Sequence, residues 1–431
     1  MRCRIRQTWS VVISRTSETQ AAALPADARA LLTAVAVRTT AQRVLALALE
    51  QRLEDWAVDL ARLPAAADFV ATVIRERYPR LDPPFHARWR HFVFEGRDLW
   101  REIVAATAWE SAAARARAEF DLVITSVLLD AGAGSQWRYR DAVTGLVAMR
   151  SEGLALASLR WFAGGGFSDQ ASDPLRADAA ALQRVEPAAF ECAFQTSSSN
   201  VLTGAVGRAA LLNRLGARAR SSPALFALAD APRPGGLFDA MLQRAVAGAL
   251  PATVLLELLL DALGPIWQDR PELEGASLGD CWPYPSLPGE APAARFVPLH
   301  KLSQWLAYSL IEPLAAAGIT VTDIDALTGL AEYRNGGLFV DLGVLTPRAP
   351  DAYLRHYQVS DPFVVGWRAL TVALLDEIAP LVRTRLGVDT QDFPLAKLLE
   401  GGTWAAGRRI AQQRRPDGSP PFHIFSDGTV F

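Results

Sequence analysis

Apolar residues recur at three- and four-residue spacing along most of this 431-residue chain, and Gly and Pro fall at the ends of those runs. That period belongs to the α-helix, because residues three and four apart share one face. Residues 27–53 are Ala- and Leu-rich and lack Gly and Pro, so the spacing predicts one long helix. Asp173-Pro174 reads as an N-cap followed by Pro at the first helical position, opening a helix to about Leu182. Further helices are predicted over 203–215 with Gly216 as the stop, 237–247, 253–263, 298–314, and 403–414. A long helix is expected over 362–386, ended by Gly387 and kinked or split at Pro380. Strand signals are few, and the best is the tail, where Phe422 to Phe425, the Asp427-Gly428 pair and Thr429 to Phe431 read as a small β-hairpin. The expectation is a mainly α-helical protein.

Hydrophobic residues make up 50% of the chain and charged residues 21%, enough apolar surface for a sizeable core, which excludes wholesale disorder. Two proline-rich stretches, 79–92 and 269–298, divide the pattern. The expected organisation is a tail over 1–25, a helical lobe over 26–268, a Pro-rich aromatic loop over 269–298 holding Trp282 and Tyr284, and a second lobe over 299–431.

The 44 basic residues balance 46 acidic ones, leaving a net charge of −2. A nucleic-acid binder would carry a basic excess or stripe, so no nucleic-acid partner is expected. Only Lys301 and Lys397 are lysines, and the arginine bias fits a GC-rich genome. Cys3, Cys192 and Cys281 lie far apart and are odd in number, which points to a reducing, cytoplasmic setting rather than a disulfide framework. The longest apolar run, 252–267, is short and broken by Glu257 and Asp261, so no membrane span is expected.

Familiar catalytic patterns are missing. No HExxH, GxSxG or GxxxxGK[ST] occurs, and Gly164-Gly165-Gly166 does not follow a strand. What remains is carboxylate chemistry supported by basic side chains. The densest stretch holds His300, Lys301, Gln304, Asp323, Asp325, Glu332, Tyr333, Arg334, Asn335 and Asp341. Lys301 and Gln304 share one helix face, Asp323 could cap a short helix, and Gly336-Gly337 lets backbone come close to a ligand. A second group is Trp137-Arg138-Tyr139 with Arg150, Glu152 and Arg160, where a helix N-terminus beside arginine suits an anion. A third, Arg88 to Phe92, interleaves arginine and aromatics, which can stack a planar base or anchor a loop. Each acid in these groups can equally be a cap or an ion-pair partner.

These stretches also carry a resemblance. Pro83 to Phe92, Asp130 to Gly134 with Trp137-Arg138-Tyr139, Arg150 to Leu154, Leu299 to Trp305, Leu327 to Gly337, Gly401 to Arg409 and Ser426 to Phe431 are similar to an uncharacterised-domain family tied to uracil catabolism in fungi and bacteria. The likeness covers residues 30 to 431. More distantly, Lys301 to Gln304, Asp323 to Thr328 and Glu332-Tyr333-Arg334 resemble the queuosine-salvage nucleosidases, helical proteins akin to helix-hairpin-helix DNA glycosylases. Those proteins have Asp where this chain has Glu332, and Val-Pro where it has Asn335-Gly336.

The resemblance implies a two-lobed, glycosylase-like helical fold that hydrolyses an N-ribosyl bond without metal or cofactor. The expected substrate is a small nucleoside- or nucleotide-derived molecule, ribosyl-urea or its 5′-phosphate. Such a reaction builds positive charge on the ribose, which a carboxylate beneath the sugar stabilises. The roles expected are Asp323 or Asp325 beneath the sugar, Glu332 on the ribose hydroxyls or sharing the base role, and Lys301, Gln304 and Tyr333 at the urea end. Arg334, Arg150 or Arg160 would hold a phosphate, with His300, Asn335, Trp282 and Glu152 lining the substrate. The rival expectations are a non-catalytic nucleotide-binding regulator of the same pathway and, from fold analogy alone, a DNA glycosylase-like repair protein.

Overall fold

The computed structural model describes residues 24–425 apart from 135 and 230. Helices form the body, and the strands among the described residues make only two-stranded ribbons. One hydrophobic cluster runs from Ala34 to Phe422, with helices distant in sequence packed on one another. Ala34–Leu49 and Leu63–Arg77 lie against the long Pro362–Leu386 helix, and Lys301–Ala316 lies against Ala112–Leu128. Tyr333–Asp341 crosses Trp404–Arg414.

Three predicted helices keep their bounds closely, and the one expected over 253–263 forms as Ala252–Leu263. Pro362–Leu386 ends at Gly387, whose φ of 73° is the left-handed conformation that stops a helix cheaply only at glycine. It is continuous through Pro380, which lies on the exposed face. Trp404–Arg414 likewise forms, entered through one wide π turn over Leu399–Thr403.

Other elements differ, each for a local reason. The stretch 27–53 divides into Ala26–Leu31 and Ala34–Leu49, because Thr33 turns extended and its hydroxyl accepts the Ala36 N–H at 3.0 Å. Asp173-Pro174 opens no helix. The Arg176 guanidinium reaches both Asp173 and Asp178, holding that segment as a loop, and the helix begins at Ala179. Ala205–Ser221 runs straight through Gly216, which is an approach point rather than a stop: a Cβ there would sit 2.4 Å from the Ala179 carbonyl oxygen. In the tail, His423–Ile424 pairs in parallel with His356–Tyr357, and the second arm of the expected hairpin lies outside the described residues. So do residues 1–23 of the expected N-terminal tail.

Gly407 marks where the last helix meets Tyr333–Asp341. A Cβ at that position would lie 2.0 Å from the Arg334 carbonyl oxygen. Gly407→Ala therefore forces the two helices apart. The expected loss is about 1–3 kcal/mol, the usual cost of overpacking, read as a lower Tm by calorimetry. An unchanged Tm would contradict this crossing.

Candidate functional site

The proline-rich loop sets the first corner. Cys281–Pro283 pairs antiparallel with Phe296–Pro298, so the chain leaves this ribbon directly into Leu299, His300 and the Lys301–Ala316 helix. His300 adopts a left-handed φ of 47°, and its Nε2 meets the Leu31 carbonyl at 2.9 Å. Asp280 fastens the helix start, taking the Lys301 N–H on its carboxylate at 3.0 Å. Burial pushes the Asp280 carboxyl up, but the Arg368 guanidinium, the Lys301 N–H and the Trp282 Nε1 outweigh it and hold the group below the usual carboxylate range.

Glu332 forms the second corner. It caps the Tyr333–Asp341 helix, its two carboxylate oxygens accepting the N–H groups of Arg334 at 2.7 Å and Asn335 at 2.5 Å. Burial raises its pKa, and those N–H groups and the Lys301 charge only partly offset the rise. Burial likewise lowers the Lys301 pKa, against the charges of Asp130 and Glu332, which favour the ammonium. Among the described residues the Lys301 ammonium makes no hydrogen bond or ion pair within 4.0 Å, so its donors are free for a ligand. A narrow cleft of about 20 Å³, walled by Leu32, Leu260, Trp267 and Leu278, reaches Lys301, Asp280 and His300.

The third corner comes from the first half of the chain. Asp130 accepts from Arg88 at 2.6 Å and from the Ser151 hydroxyl at 2.6 and 2.7 Å. Arg88 is fully buried and also bonds the Ser126 hydroxyl at 2.7 Å. Its NH1 faces His91 Nδ1 at 3.3 Å, and a guanidinium only donates, so that nitrogen accepts. Burial, with the Arg88 charge, pushes His91 down to about 4, which leaves the imidazole neutral. The rings of His91 and His86 both lie within 6.1 Å of Trp305 and of Trp404.

Glu152, in the first turn of Arg150–Ala163, pairs with Arg408 at 2.6 Å. Tyr333 carries Arg334 over its ring at 4.8 Å and feels the charges of Glu332, Arg150 and Glu152. Arg150 and Arg334 converge on one turn, donating to the carbonyls of Asp417 and Gly418 at 3.2 and 2.8 Å. Of the residues expected from sequence, the structure thus gathers Lys301, Glu332, Tyr333, Arg334, Arg150 and Glu152.

The others are engaged elsewhere. Asp323 is exposed and accepts from the neighbouring Thr322 hydroxyl at 3.0 Å. Asp325 pairs with Arg383 at 2.7 Å and takes the Leu395 N–H at 2.5 Å, so its carboxylate stitches the long helix to the chain after it. Gln304 is spent on Thr328, accepting its N–H at 2.8 Å and donating to its hydroxyl at 2.6 Å. Asn335 donates to the Leu330 carbonyl at 3.2 Å. Arg160 forks onto Asp141 at 2.9 and 2.8 Å, leaving no phosphate clamp there. His300 and Trp282 act on Leu31 and Asp280, as supports.

Sequence reasoning passed over Asp130, Ser151, Asp280, Arg368 and Arg408 as site residues. Asp130, Ser151 and Arg408 lie in the quoted family stretches and Asp280 in the Pro-rich aromatic loop, whereas no local pattern marks Arg368. Among the described residues no three His, Cys, Asp or Glu side chains are placed to hold a metal ion, and no helix is long and apolar enough to cross a membrane.

A family model described as "Protein of unknown function (DUF1688)" matches residues 30–431. Protein urg3 of Schizosaccharomyces pombe is 38% identical over 413 residues, covering 93% of this chain and 98% of the relative. Uracil catabolism protein 4 of Lachancea kluyveri is 35% identical over 409 residues, covering 87% of this chain and 91% of the relative.

Proposed function

The chain belongs to that family of unknown function, and from this premise we propose that it acts in uracil catabolism, hydrolysing the N-ribosyl bond of ribosyl-urea or its 5′-phosphate to release urea. The relative named for uracil catabolism supports the pathway, and the helical architecture is compatible with a two-lobed, glycosylase-like scaffold. The observation that carries the reaction is the half-buried Lys301 ammonium, unbonded among the described residues and lying in the field of the Asp130 and Glu332 charges.

As the C–N bond lengthens, the ribose becomes cationic and the urea nitrogen gains electron density. Glu332 stabilises the sugar cation and accepts a proton from the attacking water, with Asp130 adding negative charge nearby. Lys301 gives its proton to the departing urea. Tyr333 and Glu152 bind the hydroxyl groups of the sugar, and Arg150 with Arg334 faces the end that carries a phosphate in the phosphorylated substrate.

The direct test is to mix the protein with ribosyl-urea and with its 5′-phosphate and to assay free urea. Release from either supports the reading; folded protein that releases none from both overturns it. A companion result concerns Asp325. Because its carboxylate is bound to Arg383 and the Leu395 N–H, Asp325→Asn should lower stability by about 1.5–3 kcal/mol, the size of a lost charged hydrogen bond, with kcat unchanged. A large fall in kcat without a fall in Tm would return Asp325 to the reaction.

A further inference from the structure

Lys301 and Glu332 stand on separate chain segments, and a single guanidinium touches the support of both. Arg368, buried on the Pro362–Leu386 helix, grips the Asp280 carboxylate with NH1 at 2.8 Å and NH2 at 2.7 Å. Its Nε donates to the carbonyl of Ala331, the residue before Glu332, at 3.2 Å. Asp280 in turn holds the start of the Lys301 helix three times over. Its carboxylate takes the Lys301 N–H, and its carbonyl takes the N–H groups of Leu299 at 2.9 Å and His300 at 3.0 Å. Trp282 donates to the same carboxylate at 2.8 Å and so fixes its rotation.

We infer that Arg368, acting through Asp280 and the Ala331 carbonyl, is a positioning residue that sets the spacing and orientation of the Lys301 ammonium against the Glu332 carboxylate. The inference rests on reading those two groups as the reacting pair. Stability alone is a poor reason for such an ion pair, since desolvation cancels much of its attraction and apolar replacements often serve as well. Geometry is a better one. A planar fork with fixed donors holds two segments in one register, which a flexible ammonium does not. A misplacement of about 1 Å at reacting groups can cost about 10²-fold in rate.

The charged groups facing Lys301 are Asp130, Glu332 and Asp280, which favour its ammonium, and Arg368, which opposes it. Arg368→Lys keeps that cation and removes the fork, so it changes position more than charge. The chain has only two lysines, and the ammonium of Lys397 bonds the Asp392 carbonyl at the surface. Lysine-labelled wild-type protein thus gives two side-chain signals by NMR, one of them an internal reference, and the variant adds a third.

In folded Arg368→Lys, kcat should fall about 10²-fold with KM little changed. The Lys301 titration midpoint should move up by about one unit as the loosened ammonium reaches water. The double variant Arg368→Gln/Asp280→Asn, which leaves no unpaired buried charge, should do the same and serves if the single variant does not fold. A purely structural role predicts a lower Tm with the Lys301 titration and the kcat unchanged, and that result overturns the inference. If wild-type protein releases no urea, the hydrolase reading fails on its own, while the Lys301 titration still decides whether Arg368 positions it.

Discussion

Lys301→Met is expected to lower kcat for urea release by about 10²–10⁴-fold, the range for removing a positioned proton donor, with KM changed much less. Methionine keeps most of the volume and the unbranched stem, so the corner stays packed. Among the described residues the ammonium has no bonded partner to strand, and Asp130 keeps Arg88 and Ser151, so the fold should survive the change. The proton is needed only as the urea nitrogen departs, so its loss falls on the transition state rather than on binding. Lys301→Arg should not restore the rate, because a guanidinium is larger, planar and too weak an acid to give its proton away. The measurement is a steady-state urea assay alongside circular dichroism. A folded Lys301→Met protein within about tenfold of wild type removes Lys301 from the reaction, since that is below the smallest effect of a general acid.

The helices were largely legible because a 3.6-residue apolar period and its Gly and Pro stops are local signals. Pro362–Leu386 with Gly387 shows this best. Gly216 shows the limit. Its role depends on the Ala179 backbone approaching it, which no local pattern records. The site divides in the same way. Lys301, Glu332 and Tyr333 lie in one conspicuous stretch, and their chemistry could be read there. Asp325 lies in that stretch too, yet Arg383, 58 residues on, claims its carboxylate. The difference between it and Glu332 is that Asp325 is bonded by an arginine side chain, whereas Glu332 bonds backbone N–H groups and feels the charges of Lys301 and Arg334 without an ion-pair contact. That choice is made by tertiary packing. Asp280 and Arg368 are 88 residues apart, and Arg88 and Asp130 are 42 apart, so neither pair leaves a spacing to recognise.

Glu332 supplies the second large effect, and its pH dependence has a definite sign. The carboxylate must be unprotonated to support the sugar cation and take a proton from water. Burial raises its pKa above the ordinary 4.5, so kcat/KM should climb with pH through that raised value. Lys301 must be protonated, and burial lowers its pKa below the ordinary 10.5, so kcat/KM should fall as pH rises through that lowered value. The result is a bell whose plateau is narrower at both ends than two exposed groups would give. Glu332→Gln should cut kcat by about 10²–10⁴-fold and erase the acid limb, because no proton is then lost on that side. The amide oxygen still accepts one of the two N–H groups at the helix start, so the stability cost should stay near 1 kcal/mol, that of a weakened cap. The alkaline limb should persist in this variant, shifted down, since the amine has lost a neighbouring negative charge. A Glu332→Gln protein that keeps the acid limb would assign that limb to another carboxylate, with Asp130 the next to replace.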